Sequence, residues 1–219
     1  MHQPEDLDDV RASYDRVADV YARTVPPLLA ADPWQRAALD AFAEEVRGLG
    51  PVLDVGCGPG HVSAHLAARG VDVRGVDLSP AMVEHARRAH PHLRFDVASA
   101  TALDLAPASL GGALGWWSLF HLPRAVLPAV LADLGRALVP GGALLVATHV
   151  GEEDVQRREA YGGVPVRWTT HRWRPEQVAD LLAAVGLLLA AEVRFPASGQ
   201  VGPGVALAAR RPRGRDPLA

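Results

Sequence analysis

Glycines at alternate positions, with one acid before them and another after them, are the residues of this chain whose types and spacing could do chemistry. Residues 52–60 read VLDVGCGPG, with glycines at positions 56, 58 and 60. Such glycines are expected where the backbone takes positive φ angles or touches a ligand with no Cβ in the way. Asp54 precedes them, and Asp77 follows about twenty residues later, where a doubly wound sheet places the acid that binds ribose hydroxyls. The pattern predicts a nucleoside site.

The spacing of the glycines disfavours a dinucleotide as the ligand. A dinucleotide loop follows the pattern G-x-G-x-x-G, and in this chain His61 occupies the place of the third glycine. The charge of Asp54 at the mouth of the loop would repel a pyrophosphate, whereas the same charge suits an ammonium group. A nucleoside that carries an amino-acid tail therefore fits the loop better than NAD does.

The pattern D-x-G-x-G-x-G followed by a second acid resembles motif I and the second-strand acid of the class I S-adenosylmethionine-dependent methyltransferases. The resemblance implies that Asp54 contacts the methionine end of S-adenosyl-L-methionine and that Asp77 binds both ribose hydroxyls. The product would be S-adenosyl-L-homocysteine. The cofactor-binding residues expected on this basis are Tyr14, Tyr21, Asp54, Gly56, Cys57, Gly58, Gly60, Asp77, Leu78, Met82, Ser99, Ala100 and Trp117.

The residues that follow Asp77 are expected to hold the adenine. In the family that this chain resembles, the residue after the second acid packs on adenine, which implies this role for Leu78, with Met82 nearby. The family usually places an Asp after the third strand to bond the adenine amino group. This chain has Ser99 there, followed by Ala100. A hydroxyl can accept the same hydrogen bond without a charge.

An N-terminal helical lid is predicted from the periodicity of residues 8–21, DDVRASYDRVADVY. Their apolar and aromatic residues recur at spacings of three and four, which describes one helical face. Pro26-Pro27 is expected to break this helix, and Asp32-Pro33 to begin the next one. Similar methyltransferases carry a YDxxAxxY helix here, and the match implies that Tyr14 and Tyr21 contact the cofactor.

Short apolar runs alternate with helical segments through the rest of the chain, which is the pattern of an α/β protein. We expect a Rossmann-like, seven-stranded, mostly parallel sheet with helices on both faces, and a last strand that is antiparallel. After the strand at Val52, the predicted strands are 71–76, 93–97, 113–117, 143–150, 187–193 and 205–209. We interpret residues 1–219 as one methyltransferase domain, divided into an N-terminal helical lid (1–49), a cofactor-binding core (50–150), a substrate lid (151–174), and a closing helix and strands (175–211).

The end of the fourth strand is expected at the reactive end of the cofactor, because ligands bind outside the carboxyl ends of parallel strands. Trp117, Ser118 and His121 lie there. Adjacent residues of a strand face opposite sides, so only one of the two neighbouring tryptophans can line the cavity. We expect Trp117 to do so, where its ring would attract a sulfonium. The run WWSLFHLP resembles one branch of small-molecule methyltransferases from actinobacteria.

Residues 151–174 are polar and are predicted to be an irregular lid over the active site, because the segment is too long for an ordinary connection. We expect the base that deprotonates an acceptor to be His121 first and then His149, with Tyr161 and His171 as other candidates. The predicted substrate-binding residues are Tyr21, Trp117, His121, His149, Tyr161, Trp168, His171 and Arg172.

Composition excludes several other classes of chemistry. All 22 basic residues are Arg, which excludes a lysine base or Schiff base. A single cysteine, Cys57, excludes an internal disulfide and a cysteine-based zinc site. The acids and histidines lack a compact metal-ligand spacing, so we expect no metal. The net charge of −3 provides no general attraction to nucleic acid or membrane. The basic residues Arg210, Arg211, Arg213 and Arg215 are predicted to form a solvated, disordered tail.

The sequence favours an S-adenosylmethionine-dependent methyltransferase that acts on a small molecule, such as a secondary metabolite, in the cytoplasm, as a monomer or homodimer. An S-adenosylmethionine-binding protein that does not methylate, regulatory or cyclase-like, shares every cofactor residue and stays open. An RNA or protein methyltransferase is less favoured, since the fourth strand lacks an Asn/Asp-Pro-Pro-aromatic motif and no basic groove is indicated.

Overall fold

Seven of the short apolar runs pair into one sheet in the computed structural model, which describes residues 5–197 and 202–214. A separate hairpin of two strands stands beside the sheet. The strands are β1 (Val52–Val55), β2 (Val73–Asp77), β3 (Arg94–Val97), β4 (Leu110–Trp116), β5 (Leu138–His149), β6 (Val155–Ala160), β7 (Val164–Thr170), β8 (Leu188–Phe195) and β9 (Gly204–Arg210). The α-helices are α1 (Glu5–Ala31), α2 (Pro33–Val46), α3 (His61–Ala67), α4 (Pro80–Ala89), α5 (Leu127–Ala137) and α6 (Pro175–Ala184).

The order of the strands across the main sheet is β3-β2-β1-β4-β5-β9-β8. All pairs from β3 to β5 are parallel, and β9 is antiparallel to both of its neighbours, β5 and β8. The predicted α/β fold with an antiparallel last strand is therefore confirmed. From β1 the chain continues to β2 and β3 on one side of the sheet. It then returns past β1 to form β4 on the other side, so the strand order reverses between β1 and β4. Such a switch point opens a crevice at the carboxyl ends of the strands.

Helices cover both faces of the sheet, and strand β5 shows how the sequence produces this arrangement. Its residues alternate between two hydrophobic clusters, as a strand buried on both sides requires. Leu144 and Val146 pack in the cluster that contains buried residues of α5 and α6. Ala143 and Leu145 pack in the cluster that contains buried residues of α2 and α3.

Helix α1 is longer than the sequence predicts, because it continues through Pro26 and Pro27 to Ala31. The two prolines remove the N–H donors that would bond the carbonyls of Ala22 and Arg23. This part of the helix is largely exposed, so water can satisfy those carbonyls. The predicted start of the next helix is confirmed, since a carboxylate oxygen of Asp32 accepts hydrogen bonds from the first N–H groups of α2.

The prediction of an irregular segment before α6 is wrong, since β6 and β7 pair there as an antiparallel hairpin. Its turn contains Tyr161, Gly162 and Gly163, all with positive φ angles of 48°, 85° and 88°. Strand β7 alternates between its two faces, and Val166, Trp168 and Thr170 on one of them are buried. The hairpin thus has one apolar face that packs on the molecule and one polar face.

Two expectations about the edges of the sheet also need correction. Strand β4 ends at Trp116, and Trp117 follows it with a positive φ of 53°. Arg210 and Arg211 are not a disordered tail, because Arg210 ends β9 with an ion pair to Glu45 and Arg211 donates to main-chain carbonyls. Arg215 lies outside the described residues. No helix within the described ranges is both long enough and apolar enough to span a bilayer.

Candidate active site

The glycine loop joins β1 to α3 and has the backbone conformation that its composition predicts. Gly56, Gly58 and Gly60 have φ angles of 75°, 53° and 79°. A Cβ at Gly56 would overlap the side chain of Ser118, which reaches across from the end of β4 and donates a 2.5 Å hydrogen bond to the carbonyl of Val55. Glycine is required at this position by both the conformation and the close contact.

Asp77 ends β2 and faces a cavity with its carboxylate already oriented by the main chain. The N–H of Gly58 donates to Oδ2 at 2.8 Å, and the N–H of Ser79 donates to Oδ1 at 2.8 Å. Burial raises the pKa of Asp77 to about 6, although these N–H donors oppose the shift. The carboxylate keeps unused acceptor positions and is therefore suited to bind hydroxyl groups.

Asp54 lies deeper, in the middle of β1, and is only 1% exposed. The hydroxyl of Ser63 donates to its Oδ2 at 2.6 Å. Burial raises the pKa of Asp54 to about 7, and the nearby charge of Asp77 adds to the shift. Asp54 does not line the cavity itself. A cation bound at the glycine loop would favour the ionised form of this carboxyl.

Helix α1 covers the loop and is anchored to the first turn of α4. Asp15 accepts hydrogen bonds from the Ser79 hydroxyl at 2.6 Å and from the Ala81 N–H at 3.2 Å. One turn later, Asp19 lies 2.8 Å from Nε2 of His85. Since the N–H of Ser79 also bonds Asp77, a single residue connects the lid helix with the acid in the cavity.

The cavity under α1 has an empty volume of about 730 Å³, part of it at the open mouth. Most of the predicted cofactor residues line it, namely Tyr14, Tyr21, Gly56, Gly58, Asp77, Leu78, Met82, Ser99, Ala100 and Trp117. The lining also includes residues that the sequence reasoning missed: Leu7, Val10, Arg11, Val55, Ser79, Ala98, Leu119 and Leu122. Val10, on the predicted apolar face of the lid helix, is one that the periodicity could have indicated.

Cys57 and Gly60 belong to the same loop but face away from the cavity. The side chain of Cys57 packs with Val83, Ala86 and Phe95 in a small cluster below α4. A Cβ at Gly60 would lie 2.7 Å from the ring of Phe95, so this glycine allows α3 to start close to β3. Both residues therefore contribute to the packing of the loop and do not contact a ligand in the cavity.

An aromatic cluster closes the cavity above the end of β4. The Oη of Tyr14 lies 2.8 Å from Nε2 of His121, and the ring of Tyr14 stacks on Trp168 with centroids 5.0 Å apart. Tyr21 contacts the rings of both Tyr14 and Tyr161. His121 is 8% exposed, and burial lowers its pKa to about 3. Its imidazole is therefore neutral at neutral pH.

Trp117 lines the cavity, but it does not face away from Trp116 as predicted. The rings of both tryptophans contact Phe195, with centroids 6.1 and 5.8 Å from it. The left-handed backbone at Trp117 breaks the alternation of the strand and turns the second indole to the same side. Its Nε1 donates to the side chain of Gln35 at 3.0 Å, which fixes the ring beside Gly204.

Two of the three other predicted bases, His149 and Tyr161, do not line the cavity. His149 packs between the rings of Trp117 and Phe120. Burial lowers its pKa to about 4. Tyr161 stands at the turn of the hairpin and contacts Tyr21, and burial raises its pKa to about 12.

The remaining predicted substrate residues lie on the far side of Tyr14. Trp168 and His171 line a second cavity, which shares His121 with the first. Arg172 lines neither cavity, because its Nε bonds the Glu153 carbonyl at 2.7 Å. Across the parts of the chain that the structure describes, no three His, Cys, Asp or Glu side chains are placed to hold a metal ion.

Comparisons with known proteins agree with this geometry. Residues 52–142 match a family model described as a methyltransferase domain. A demethylmenaquinone methyltransferase of Beutenbergia cavernae is 39% identical over 141 residues, which cover 64% of this chain and 55% of that protein. A malonyl-[acyl-carrier protein] O-methyltransferase of Enterobacter lignolyticus is 29% identical over 166 residues, which cover 75% and 65%. The chain thus spans between about half and two thirds of the length of these curated relatives.

A solved structure with the same fold is the 1,6-didemethyltoxoflavin-N1-methyltransferase of Burkholderia thailandensis, determined with bound 1,6-didemethyltoxoflavin and S-adenosylhomocysteine. It is 24% identical, with a TM-score of 0.72 over 97% of this chain and 92% of that one. Residues 52–142 therefore form a methyltransferase domain, for which S-adenosylmethionine is the methyl donor, and the solved structure shows the same fold.

The residues of the cavity fit this donor. An adenosine needs an acceptor for its sugar hydroxyls and apolar surface for its base, and the cavity offers Asp77 for the first, with Leu78 and Met82 for the second. The loop leaves space beside Gly58, where an added Cβ would lie 3.7 Å from the ring of Tyr21. Ser99 adds a hydroxyl at the same end of the cavity.

Proposed function

We propose that this protein transfers a methyl group from S-adenosylmethionine to a small molecule, such as a secondary metabolite, as the actinobacterial branch that its fourth strand resembles does. The observation that carries the proposal is the composition of one cavity. Its lining joins the glycine loop and Asp77 to His121 and Trp117 at the end of β4. One ligand can therefore contact a group that binds a sugar and a group that accepts a proton.

In this proposal each part of the cavity has one role toward the donor. Asp77 accepts hydrogen bonds from both ribose hydroxyls, and its orientation is set by the N–H groups of Gly58 and Ser79. Leu78 and Met82 pack on the adenine, and Ser99 bonds its amino group. Asp54 attracts the positively charged methionine end from below the loop. Tyr14 and Tyr21 on α1 cover the bound donor.

When bound, the donor supplies a methyl group on a positively charged sulfur, which an electron-rich acceptor displaces in line. Positioning supplies much of the acceleration of such a displacement. The ring of Trp117 stabilises positive charge through its π face. The closed aromatic cluster of Tyr14, Tyr21 and Trp168 excludes water from the reacting atoms.

His121 is the residue that we propose as the general base. Its neutral imidazole accepts a proton from a hydroxyl or similar acceptor as that acceptor attacks. Tyr14 holds the ring in place through its contact with Nε2. His149 and Tyr161 stay predictions as alternative bases, and their positions outside the cavity make His121 the first choice.

The experiment that tests the proposal is incubation of the purified protein with methyl-labelled S-adenosylmethionine and extracts that contain candidate metabolites. We expect label in a small-molecule product and release of S-adenosylhomocysteine. The His121→Ala variant serves as the control, because it retains Asp77 and the glycine loop. Donor binding without turnover across all extracts would favour the regulatory or cyclase-like alternative. Labelled RNA or protein would contradict a small-molecule acceptor.

The whole chain is proposed to act as one methyltransferase domain, with the hairpin of β6 and β7 as its substrate lid. The face of this hairpin that carries Trp168 packs against α1, where the main-chain N–H of Arg167 donates to the Ser13 hydroxyl at 2.8 Å. A cytoplasmic location and a monomer or homodimer stay predictions.

A further inference from the structure

A second cavity lies beside the first, on the opposite side of the Tyr14 ring. It has an empty volume of about 630 Å³, part of it at the open mouth. Val10 and His121 line both cavities, and the buried ring of Trp168 lines only this one. The rest of its lining is polar: Asp9, Gln156, Arg157, Arg158, Arg167, Thr169 and His171. We call it the arginine cavity after Arg157, Arg158 and Arg167.

The arginine cavity has an excess of positive charge. Its carboxylate, Asp9, pairs with Arg167 at 3.1 Å, so these two charges offset each other. His171 is bonded to Asp154, with Nδ1 2.7 Å from Oδ2. Arg157 and Arg158 form no salt bridge with any residue in 5–197 or 202–214. Two guanidinium groups at this cavity therefore lack a counter-charge.

From this charge, and on the basis of the methyl transfer proposed above, we propose that the arginine cavity binds an oxyanion group of the methyl acceptor, a carboxylate or a phosphate. Arg157 and Arg158 are the residues that bind it. A guanidinium presents a planar fork of N–H donors that matches the two oxygens of such a group. A neutral acceptor would leave both charges uncompensated.

The position of His121 explains how an anion in the arginine cavity serves the reaction. The imidazole lines both cavities, so an acceptor whose charged end is held by the arginines lies against the same residue as the donor. Nδ1 of His121 is a buried atom that has no hydrogen-bond partner in the described structure. A negative charge nearby favours the protonated imidazole and so assists a base at this position.

Exposed arginines on β6 also have a purely structural interpretation, since charged side chains on an unpaired edge discourage aggregation of strands. Arginines with only that role would not distinguish an anionic small molecule from a neutral one of the same shape. Selectivity between matched ligands therefore separates the two interpretations.

The test is calorimetric titration of the protein, saturated with S-adenosylhomocysteine, with two matched pairs of probes. One pair is 4-hydroxybenzoate and 4-hydroxybenzamide, and the other is phenyl phosphate and phenol. We expect the anion of at least one pair to bind about ten-fold more tightly than its neutral counterpart, which is the minimum for a charge-assisted hydrogen bond. The pair that shows the preference identifies the anion as a carboxylate or a phosphate.

The double variant Arg157→Gln/Arg158→Gln should lose this preference. The control is Arg74→Gln/Arg94→Gln, which changes the net charge equally at two exposed, paired positions of β2 and β3. It should keep the preference. The proposal would be overturned if the unaltered protein preferred neither anion over its neutral counterpart. It would also be overturned if the preference survived in the Arg157→Gln/Arg158→Gln variant. The affinity of every variant for S-adenosylhomocysteine, measured first, shows separately whether the donor site proposed above is intact.

Discussion

The hydroxyl of Tyr14 lies 2.8 Å from Nε2 of His121, and this contact joins the lid helix α1 to the turn that follows β4. The two residues are 107 positions apart in the chain. The bond fixes the ring of the histidine. It therefore makes closure of the lid a condition for a correctly oriented base.

The variant His121→Ala should lower turnover by about 10²–10⁴-fold, the usual contribution of a histidine base. Affinity for S-adenosylhomocysteine should change little, because the ribose and methionine contacts remain. Steady-state rates and calorimetry of the same preparation check both quantities. An equal loss of turnover and affinity would indicate a structural role for the imidazole.

Removal of the hydroxyl in Tyr14→Phe should reduce turnover by about ten-fold, because the ring of His121 loses one orienting hydrogen bond. The double variant with His121→Ala should be no slower than His121→Ala alone, since the hydroxyl acts through the histidine. The four rates form a double-mutant cycle. Additive effects in that cycle would show that Tyr14 acts on the reaction independently.

The glycine at position 56 should tolerate no side chain. Gly56→Ala should lower the free energy of unfolding by about 2–4 kcal/mol, from the positive φ and the overlap with Ser118. Gly48 provides the matched control, because its φ of 78° is similar and nothing lies within 4 Å of an added Cβ. Gly48→Ala should cost only about 1 kcal/mol. Urea unfolding measures both, and equal costs would contradict the close packing of Ser118.

Binding of the donor should depend on pH through Asp54 and Asp77. Burial raises their pKa values to about 7 and about 6, so both carboxyls are partly protonated in the free protein near pH 6. A cationic methionine end and donating ribose hydroxyls favour the ionised carboxylates. Binding should therefore release protons near pH 6, and affinity should rise with pH until both acids are ionised. Calorimetry in buffers of different ionisation enthalpy measures the release.

Asp54→Asn should reduce that proton release, because the amide does not titrate. In the absence of the donor, the free energy of unfolding should change with pH in the opposite direction, falling as pH rises. An acid whose pKa is raised by folding stabilises the folded protein below its ordinary pKa, and this contribution is lost as pH rises through about 6–7. Proton uptake on binding, or an affinity that falls between pH 5 and pH 8, would contradict these assignments.

The anchor of the lid at Asp15 should matter more than the neighbouring ion pair at Asp19. Asp15→Ala removes the acceptor of the Ser79 hydroxyl and Ala81 N–H. Donor affinity should fall about ten-fold, and amide exchange in α1 should accelerate. Asp19→Ala breaks the pair with His85, but its side chain is 81% exposed, so little change is expected. Equal effects would show that Asp15 has no special connection to Asp77.

Local patterns predicted most of the cofactor side of the molecule. Three glycines within five residues permit the positive φ values that the loop adopts. An acid at the end of an apolar run lies at the carboxyl end of a strand wherever a parallel sheet forms. The residues in the loop that do not reach the cavity, Cys57 and Gly60, could not be recognised because their contact with Phe95 depends on how α4 and β3 pack.

The parts that the sequence did not predict depend on contacts between distant segments. Proline signals a helix end in isolation, but Pro26 and Pro27 lie on a largely exposed part of α1 where water can reach the carbonyls that lack donors. The reversal of Trp117 requires a left-handed residue and the packing of its ring on Gly204, 87 positions away. The pairing of Tyr14 with His121 follows only from the closed arrangement of α1, β4 and β7.

Calorimetric titration of Asp77→Ala with S-adenosylmethionine tests the central claim most directly. Asp96→Ala, which changes a 72% exposed acid on the neighbouring strand, is the control. Loss of two hydroxyl-to-carboxylate hydrogen bonds should weaken binding at least about 100-fold in Asp77→Ala, with little change in Asp96→Ala. Unchanged affinity in the Asp77 variant would contradict the assignment of this carboxylate to the ribose, and with it the placement of the donor in this cavity.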